Sequence, residues 1–327
     1  LNFSRGLRAS IFLCCDTLLN NIIVKYNFLE NSCMQNNVLL GISLMVVTTF
    51  MFSAMDGVSR YLAENNNVIT LVTTRYWFIV LIMIVTCAFI KNSYKKFIYT
   101  KQPYLQLTRG LILSLNNCLV VYSFTLLGLV GTHAIIACYP LIVASLSVPF
   151  LGEKFGWRRW TAIFVGFIGV IIILRPNANM LTEGSIYAII GALMFSVYIV
   201  LTRYASRLDS PITSFFWTGI GGAITMSFIS CFIWEDIIHQ DLIWLFIMCI
   251  LSGSSHFLMV KTLQVAEASV IQPFSYLQLV FGSVIGVTIF SESIDSMIIV
   301  GVIIVIGSGL FTTWREHQKS KLIGGIK

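Results

Sequence analysis

Long apolar runs recur through this chain with short polar connections between them, at about 38–62, 70–90, 108–128, 132–151, 157–174, 185–203, 211–234, 241–263, 267–290 and 295–314. Each approaches the roughly 20 residues that a helix needs to cross about 30 Å of hydrocarbon. Hydrophobic residues make up 57% of the 327 and charged residues only 11%. That charged share is less than half of an ordinary globular domain's, too little polar surface to cover a core of this size. The reading is an all-α integral membrane protein with ten transmembrane helices.

The formal charge of +7 is distributed by loop. Lys91, Lys95, Lys96 and Lys101 fill the second loop, Lys154, Arg158 and Arg159 the fourth, Arg203 and Arg207 the sixth, and Arg315, Lys319, Lys321 and Lys327 the tail. The odd loops carry Glu64, Glu235, Asp236 and Asp241, with Arg175 as the main exception. Excess Lys and Arg marks the cytoplasmic side, so both termini are expected inside. The basic charge thus follows a lipid bilayer, and no nucleic-acid partner is expected.

Chemistry that the sequence lacks narrows the class. Cys87, Cys118, Cys138, Cys231 and Cys249 lie inside apolar runs, and there is no CxxC or Cys/His cluster, so the cysteines read as small buried hydrophobes. No zinc motif, phosphate-binding GxxxxGK[ST] or GxGxxG fingerprint is present. No metal or cofactor is expected. An enzyme would need a nucleophile–base pair or a metal set, and neither His/Glu pairs at ligand spacing nor a Ser-His arrangement occurs.

Ten helices divide into two fives, and traces of duplication are visible. Shifting "THAIIACYPLIVASLSVPFLGEKFGWRRWTAIFVGFIGV" by 139 residues lays it on "IQPFSYLQLVFGSVIGVTIFSESIDSMIIVGVIIVIGSG". Glu153 then meets Glu292, His133 meets Gln272, Tyr139 meets Gln278, and Ala162 meets Gly301. Because five is odd, a second copy would enter the membrane from the opposite side, giving two inverted five-helix repeats. Such repeats usually place a substrate site near the midplane, where the halves meet.

These features resemble the EamA type of the drug/metabolite transporter superfamily. The likeness rests on the two five-helix halves, "LGE" at Leu151–Glu153, "SE" after helix 9, "LTRGLIL" at Leu107–Leu113 and "GVIIILRP" ending helix 5. It covers roughly 38–315. "HFLMVKTLQVAEASVIQPFSYLQLVFGSVIG" (His256–Gly286) is similar to a subgroup that includes riboflavin and S-adenosylmethionine uptake carriers, with a Pro-aromatic-x-Tyr-x-Gln/Glu-Leu run in helix 9. The resemblance implies repeats at 38–176 and 184–315, a basic cytoplasmic tail at 316–327, and the bacterial inner (plasma) membrane. It implies a secondary transporter for a small-molecule metabolite, working by alternating access. The cargo would be cofactor-like, aromatic or an amino-acid derivative. A coupling proton or ion and a homodimer are open for such a carrier. The alternative is a membrane-embedded enzyme or receptor without transport activity.

Polar residues inside the spans are the candidate site. At about 100° per residue, Gln272, Ser275, Tyr276, Leu279, Gly282, Ser283 and Gly286 share one face of helix 9, with Gln278 on its border and Pro273 removing a backbone donor. That face either lines a cavity or bonds across a helix interface, Gly282 and Gly286 forming a packing seam. Asp56 and Arg60 stand at i,i+4 on helix 1, where their side chains can meet, and Arg75 opens helix 2 nearby. They read as a structural ion pair near the span ends or as an outer gate and charge-recognition group. His256, deep in helix 8, reads either as a neutral His bonded to a backbone carbonyl or as a proton or substrate contact. Tyr139, Asn116, Asn117, Tyr122 and Ser123 could add cavity donors and acceptors.

Other signals are structural. Asp209-Ser210-Pro211 reads as a helix start, and Ser293 and Asp295 as caps. Trp157, Trp160, Trp234 and Trp314 stand at span ends as interfacial anchors. Residues 1–37 carry only a short apolar patch, "ASIFLCC", and Met34 stands just before helix 1. The segment 1–33 is expected to be upstream sequence, or else an amphipathic interfacial segment.

Overall fold

The computed structural model describes residues 38–89, 98–152, 157–174, 182–266 and 271–324. The N-terminal extension (1–37), Lys91, Lys95, Lys96, Glu153, Lys154 and Arg175 lie outside the described residues, as do the side chains of Arg158, Arg159, Gln272, Pro273, Trp314 and the basic tail.

Ten α-helices succeed one another among the described residues, with no strand: α1 Val38–Ala63, α2 Val68–Phe89, α3 Pro103–Ile136, α4 Tyr139–Leu151, α5 Trp157–Leu174, α6 Glu183–Ala205, α7 Pro211–Ile233, α8 Leu242–Val265, α9 Leu277–Phe290 and α10 Ser296–Gly324. Their starts follow local chemistry. Ser210 accepts a hydrogen bond from the Thr213 amide at 3.2 Å, with Pro211 in the first turn of α7. Thr182 does the same for Ser185 at α6, and Asp295 accepts from the Met297 amide at α10. Each satisfies a donor that the first helical turn leaves free.

Six helices are long and apolar enough to cross a membrane. Four shorter apolar stretches, Tyr139–Leu151, Trp160–Ile173, Phe274–Phe290 and Ser296–Ser308, abut a backbone break or side chains outside the description. The surface is what a bilayer requires: Phe228, Phe232 and Ile243 are each at least 70% exposed, an arrangement that water penalises and lipid does not. Polar groups turn inward instead. Many hydroxyls bond back to their own helix, as Thr48 to the Leu44 carbonyl (2.7 Å) and Ser59 to the Met55 carbonyl (2.8 Å).

Loop contacts sort the helix ends into two groups. At one end Asn66 donates to Asp241 (2.7 Å) and accepts from the Ile238 amide, and Arg60 pairs with Glu292. At the other, Asp209 accepts from Thr100, the Lys101 amide and Gln106, while Arg207 donates to the Leu151 carbonyl. The acidic loops of the sequence thus gather at one end, and the second and sixth loops at the other.

Several packing pairs of the first five helices recur in the second five. α3 packs on α6 as α8 packs on α1; α4 packs on α6 as α9 on α1; α2 and α5 pack on their own counterparts, α7 and α10. Gly169 and Gly301 bring the α5 and α10 backbones together, since a Cβ on Gly169 would lie 2.8 Å from the Gly301 carbonyl oxygen.

The helical stretch from Pro103 ends at a kink through Gly128 (φ 77°, ψ 175°), where helix 3 was expected to end, but the helix expected over 132–151 is interrupted: its first part stops at Ile136 and α4 begins at Tyr139. An L side chain at that φ is strained, so glycine sets the kink. Helix 9 also differs, because Gln272–Tyr276 form a 3-10 turn before α9.

Candidate functional site

The two broken segments face each other. In the first half, residues 129–136 stop at a turn through Ala137 and Cys138, and α4 resumes with Pro140 in its first turn. In the second, the 3-10 turn gives way to α9 at Tyr276–Leu277, the same 139-residue offset as the sequence match. Between them lies a narrow cleft, lined by His133, Tyr139, Ser275, Tyr276 and Gln278 among others. In a 3-10 turn successive residues step by about 120° instead of 100°. The single α-helical face expected from Gln272 onward therefore does not hold before Leu277.

α1 contacts two of the residues that line the cleft. Gln278 Nε2 donates to Asp56 Oδ2 at 3.2 Å, and Ser53 donates to the Gln278 carbonyl at 2.9 Å. His133 Nε2 lies 3.5 Å from the same Asp56 oxygen. His133 is seated by Gly282, whose absent Cβ leaves room for the imidazole ring, and Gly286 packs on Val130. The glycines of α9 thus make a packing seam, while Gln278 and Tyr276 beside them face the cleft. The Tyr276 hydroxyl is buried with no hydrogen-bond partner among the described residues.

A second polar group adjoins α1 on its other flank. Arg75 is only 2% exposed, and its Nη1 meets Met55 Sδ at 3.8 Å. It stands two turns inside α2, which starts at Val68, so it does not snorkel from a helix end as its sequence position implied. Nor does His256 bond a backbone carbonyl of the described residues: among them both ring nitrogens lack a partner, and the ring packs edge-on against Phe52 (4.9 Å). Phe52 also meets Phe195, which meets Tyr139 at 5.1 Å. Aromatic faces therefore link His256 to the cleft.

Asp56 and Arg60 do not pair, despite their spacing. Asp56 turns toward α9, whereas Arg60, one turn further along, pairs with Glu292 and lies over the Phe290 ring at 4.2 Å. Glu292 also accepts from the Leu129 and Val130 amides, both at 2.8 Å. Those amides begin the helical stretch after the Gly128 kink, where a carboxylate is favoured.

The remaining candidates divide. Asn117 donates to the Tyr76 hydroxyl at 2.9 Å, and Ser123 bonds Thr132 and the Gly184 carbonyl, so both join helices. Asn116 Oδ1 is buried without a hydrogen-bond partner among the described residues. The side chain of Gln272 lies outside the described residues. Sequence reasoning did not single out His133, Glu292 or Arg109 as site or network residues. Fully buried Arg109 donates to Thr202 (3.1 and 2.9 Å) and to Gln106, tying α3 to α6. An arginine inside an apolar run was the available signal. Among the described residues no group of three or more His, Cys, Asp or Glu could hold a metal ion.

Comparison with known proteins gives this arrangement a context. The chain is 25% identical over 279 residues to an S-adenosylmethionine uptake transporter of Rickettsia bellii, covering 85% of this chain and 95% of that protein. It is 21% identical over 285 residues to a riboflavin transporter of Brucella anthropi, covering 85% and 99%. A crystal structure of a protein shares the fold at 13% identity with a TM-score of 0.64, covering 84% of this chain and 97% of that one. The EamA-like transporter family matches residues 39–175 and again 182–314. Two matches that together span most of the chain, and relatives that are transporters and not enzymes, make this protein a multi-pass membrane protein belonging to the EamA-like transporter family.

Proposed function

We propose that the protein is a secondary carrier that moves an S-adenosylmethionine-like cofactor across the bacterial inner membrane by alternating access. The observation that carries the reading is the position of the cleft. It lies between the broken α4 segment of one half and the 3-10 entry to α9 of the other, with α1 in contact with two of its lining residues. Broken helices within a bilayer are tolerated where they line a cavity, because the freed backbone groups need partners. On this reading the repeats are 38–176 and 184–315, inverted, with both termini and the 316–327 tail cytoplasmic. Rocking of the halves then opens the cleft to each side in turn.

The cargo follows from the groups around the cleft and from the relatives together. Asp56 supplies an anion for a cationic group, Arg75 a cation for an anionic one, and Phe52, Phe195 and Tyr139 supply flat apolar faces. S-adenosylmethionine carries all three features: sulfonium and ammonium, carboxylate, and adenine. Riboflavin, named for the Brucella relative, is flat but carries no permanent cation for Asp56, and is the second reading. The cleft as it stands is far smaller than the roughly 300–1,000 Å³ of usual small-molecule pockets, so loading requires the helices to part. Uptake of labelled S-adenosylmethionine into vesicles containing the protein, competed by unlabelled S-adenosylmethionine and by riboflavin, tests both. Saturable uptake that riboflavin does not compete supports the first; competition by riboflavin alone shifts the cargo to the second. Absence of saturable uptake of either compound overturns the cargo assignment.

A further inference from the structure

A buried guanidinium without a carboxylate is costly, because desolvation is compensated only by a well-placed partner. Among the described residues, no carboxylate lies within ion-pair distance of Arg75, although it is within electrostatic reach of Asp56 and His256. Its Nη1 is occupied by the weak acceptor Met55 Sδ, while Nε and Nη2 are buried and make no hydrogen bond to the described residues. Those two nitrogens form the side edge of the guanidinium plane. That edge presents two parallel N–H donors and matches a carboxylate bidentately.

The surroundings add to this edge. α2 packs on α8, and α8 carries two further buried groups without hydrogen-bond partners among the described residues, Ser252 Oγ and both nitrogens of His256. Ser252 and His256 are four residues apart and so share a helix face. α1 joins the two sides: Met55 touches Arg75, and Phe52, three residues earlier, touches His256. One patch between α1, α2 and α8 thus gathers a guanidinium edge, a hydroxyl and an imidazole, with no acid of the described residues within ion-pair distance of the guanidinium.

We propose that Arg75, with Ser252 and His256, forms a carboxylate subsite of the carrier, deepening the transport reading on which it rests. The guanidinium takes the carboxylate side-on through Nε and Nη2, and Ser252 and His256 each offer one more donor. Asp56, on the α9 side of α1, receives the cationic part of the same cargo. The cargo class is therefore zwitterionic, an amino acid or a derivative that keeps its carboxylate.

The test has two arms. In vesicles, uptake of S-adenosylmethionine is competed with decarboxylated S-adenosylmethionine, which keeps the sulfonium and adenine. The wild type is expected to prefer the carboxylate form by about 10- to 150-fold, the span of a charge-assisted hydrogen-bonded contact. Arg75→Met is expected to lose most of that preference; an undiminished preference overturns the subsite. In the second arm, the melting temperature of purified protein in detergent is followed in sodium acetate against sodium chloride at equal ionic strength. Acetate is expected to stabilise the wild type more than chloride does, and to lose this advantage in Arg75→Met. Equal effects of the two salts on the wild type, or an acetate advantage retained in Arg75→Met, overturn it. The acetate arm does not depend on the cargo. If vesicles take up no S-adenosylmethionine, the cargo assignment fails and this arm alone decides the subsite. Arg75→Met is also expected to melt at or above the ligand-free wild type, because it removes a buried charge; a lower melting temperature marks a packing role for Arg75 and counts against the subsite.

Discussion

Glu292, in the loop after α9, holds Arg60 at the end of α1 while its two carboxylate oxygens accept the amides of Leu129 and Val130, each at 2.8 Å. One side chain thereby ties three parts of the protein at the end that carries the acidic loops. The pair is partly shielded, with 16% and 13% side-chain exposure, so it is worth more than an exposed pair and less than a fully buried one. Arg60→Met and Glu292→Gln are each expected to lower stability by about 1–3 kcal/mol, and the double variant by less than their sum. A thermal or denaturant double-mutant cycle checks this; strict additivity would show that the two side chains do not act together.

Asp56, Gln278 and Tyr276 are expected to govern transport more than stability. Asp56→Asn keeps the size of the side chain and removes its charge, Gln278→Leu removes the donor to Asp56, and Tyr276→Phe deletes a hydroxyl with no partner among the described residues. If they contact cargo, apparent affinity should weaken by roughly five- to 150-fold, equivalent to about 1–3 kcal/mol, at unchanged abundance and melting temperature. Saturating cargo should also shield Gln278→Cys from thiol reagents. Stability falling first, with transport in proportion, would mark these groups as interhelical bonds.

The helices were legible because apolar runs of span length have few other solutions, and the starts of α7 and α10 because Ser-Pro and Asp residues cap in a local way. The polar half of helix 9 stood out because so many hydrogen-bonding groups in an apolar run demand partners. Their partners were hidden. Asp56 meets Gln278 across 222 residues, and local spacing favoured Arg60 instead. The 3-10 turn was masked because Pro273 announces a break without specifying its geometry. Arg75 was misplaced by an error of two residues in the start of α2, about 3 Å along a helix axis. That was enough to turn a deeply buried group into one near the interface.

Gly128 is expected to tolerate no side chain. Its φ of 77° with ψ of 175° falls where essentially only glycine is found, at a cost of roughly 1–3 kcal/mol for an L residue, and an added Cβ would lie 2.7 Å from Glu292 Oε1. Gly128→Ala should therefore lose more stability than the backbone term alone, because it also displaces Glu292 from the Leu129 and Val130 amides. The comparison is made in the Glu292→Gln background. A penalty for Gly128→Ala as large there as in the wild type would separate the kink from the Glu292 contact.

Orientation in the membrane is open to a direct measurement. Contacts place the Asn66 and Asp241 loops together at one end, and Thr100, Lys101 and Asp209 at the other. Labels at one position from each group therefore orient the helices between them. The acidic group contains Glu64, Glu235 and Asp236, and the opposite group contains Lys101, Arg203 and Arg207. Basic excess belongs in the cytoplasm. With the eight cysteines replaced, Asp236→Cys should react with an impermeant maleimide in intact cells, and Lys101→Cys only after permeabilisation. Both positions are exposed, so lack of access within the protein would not mask the result. Labelling of Lys101→Cys in intact cells would reverse the orientation, placing the Arg60–Glu292 pair at the cytoplasmic mouth. Labelling of both would break the alternation on which the inverted halves rest.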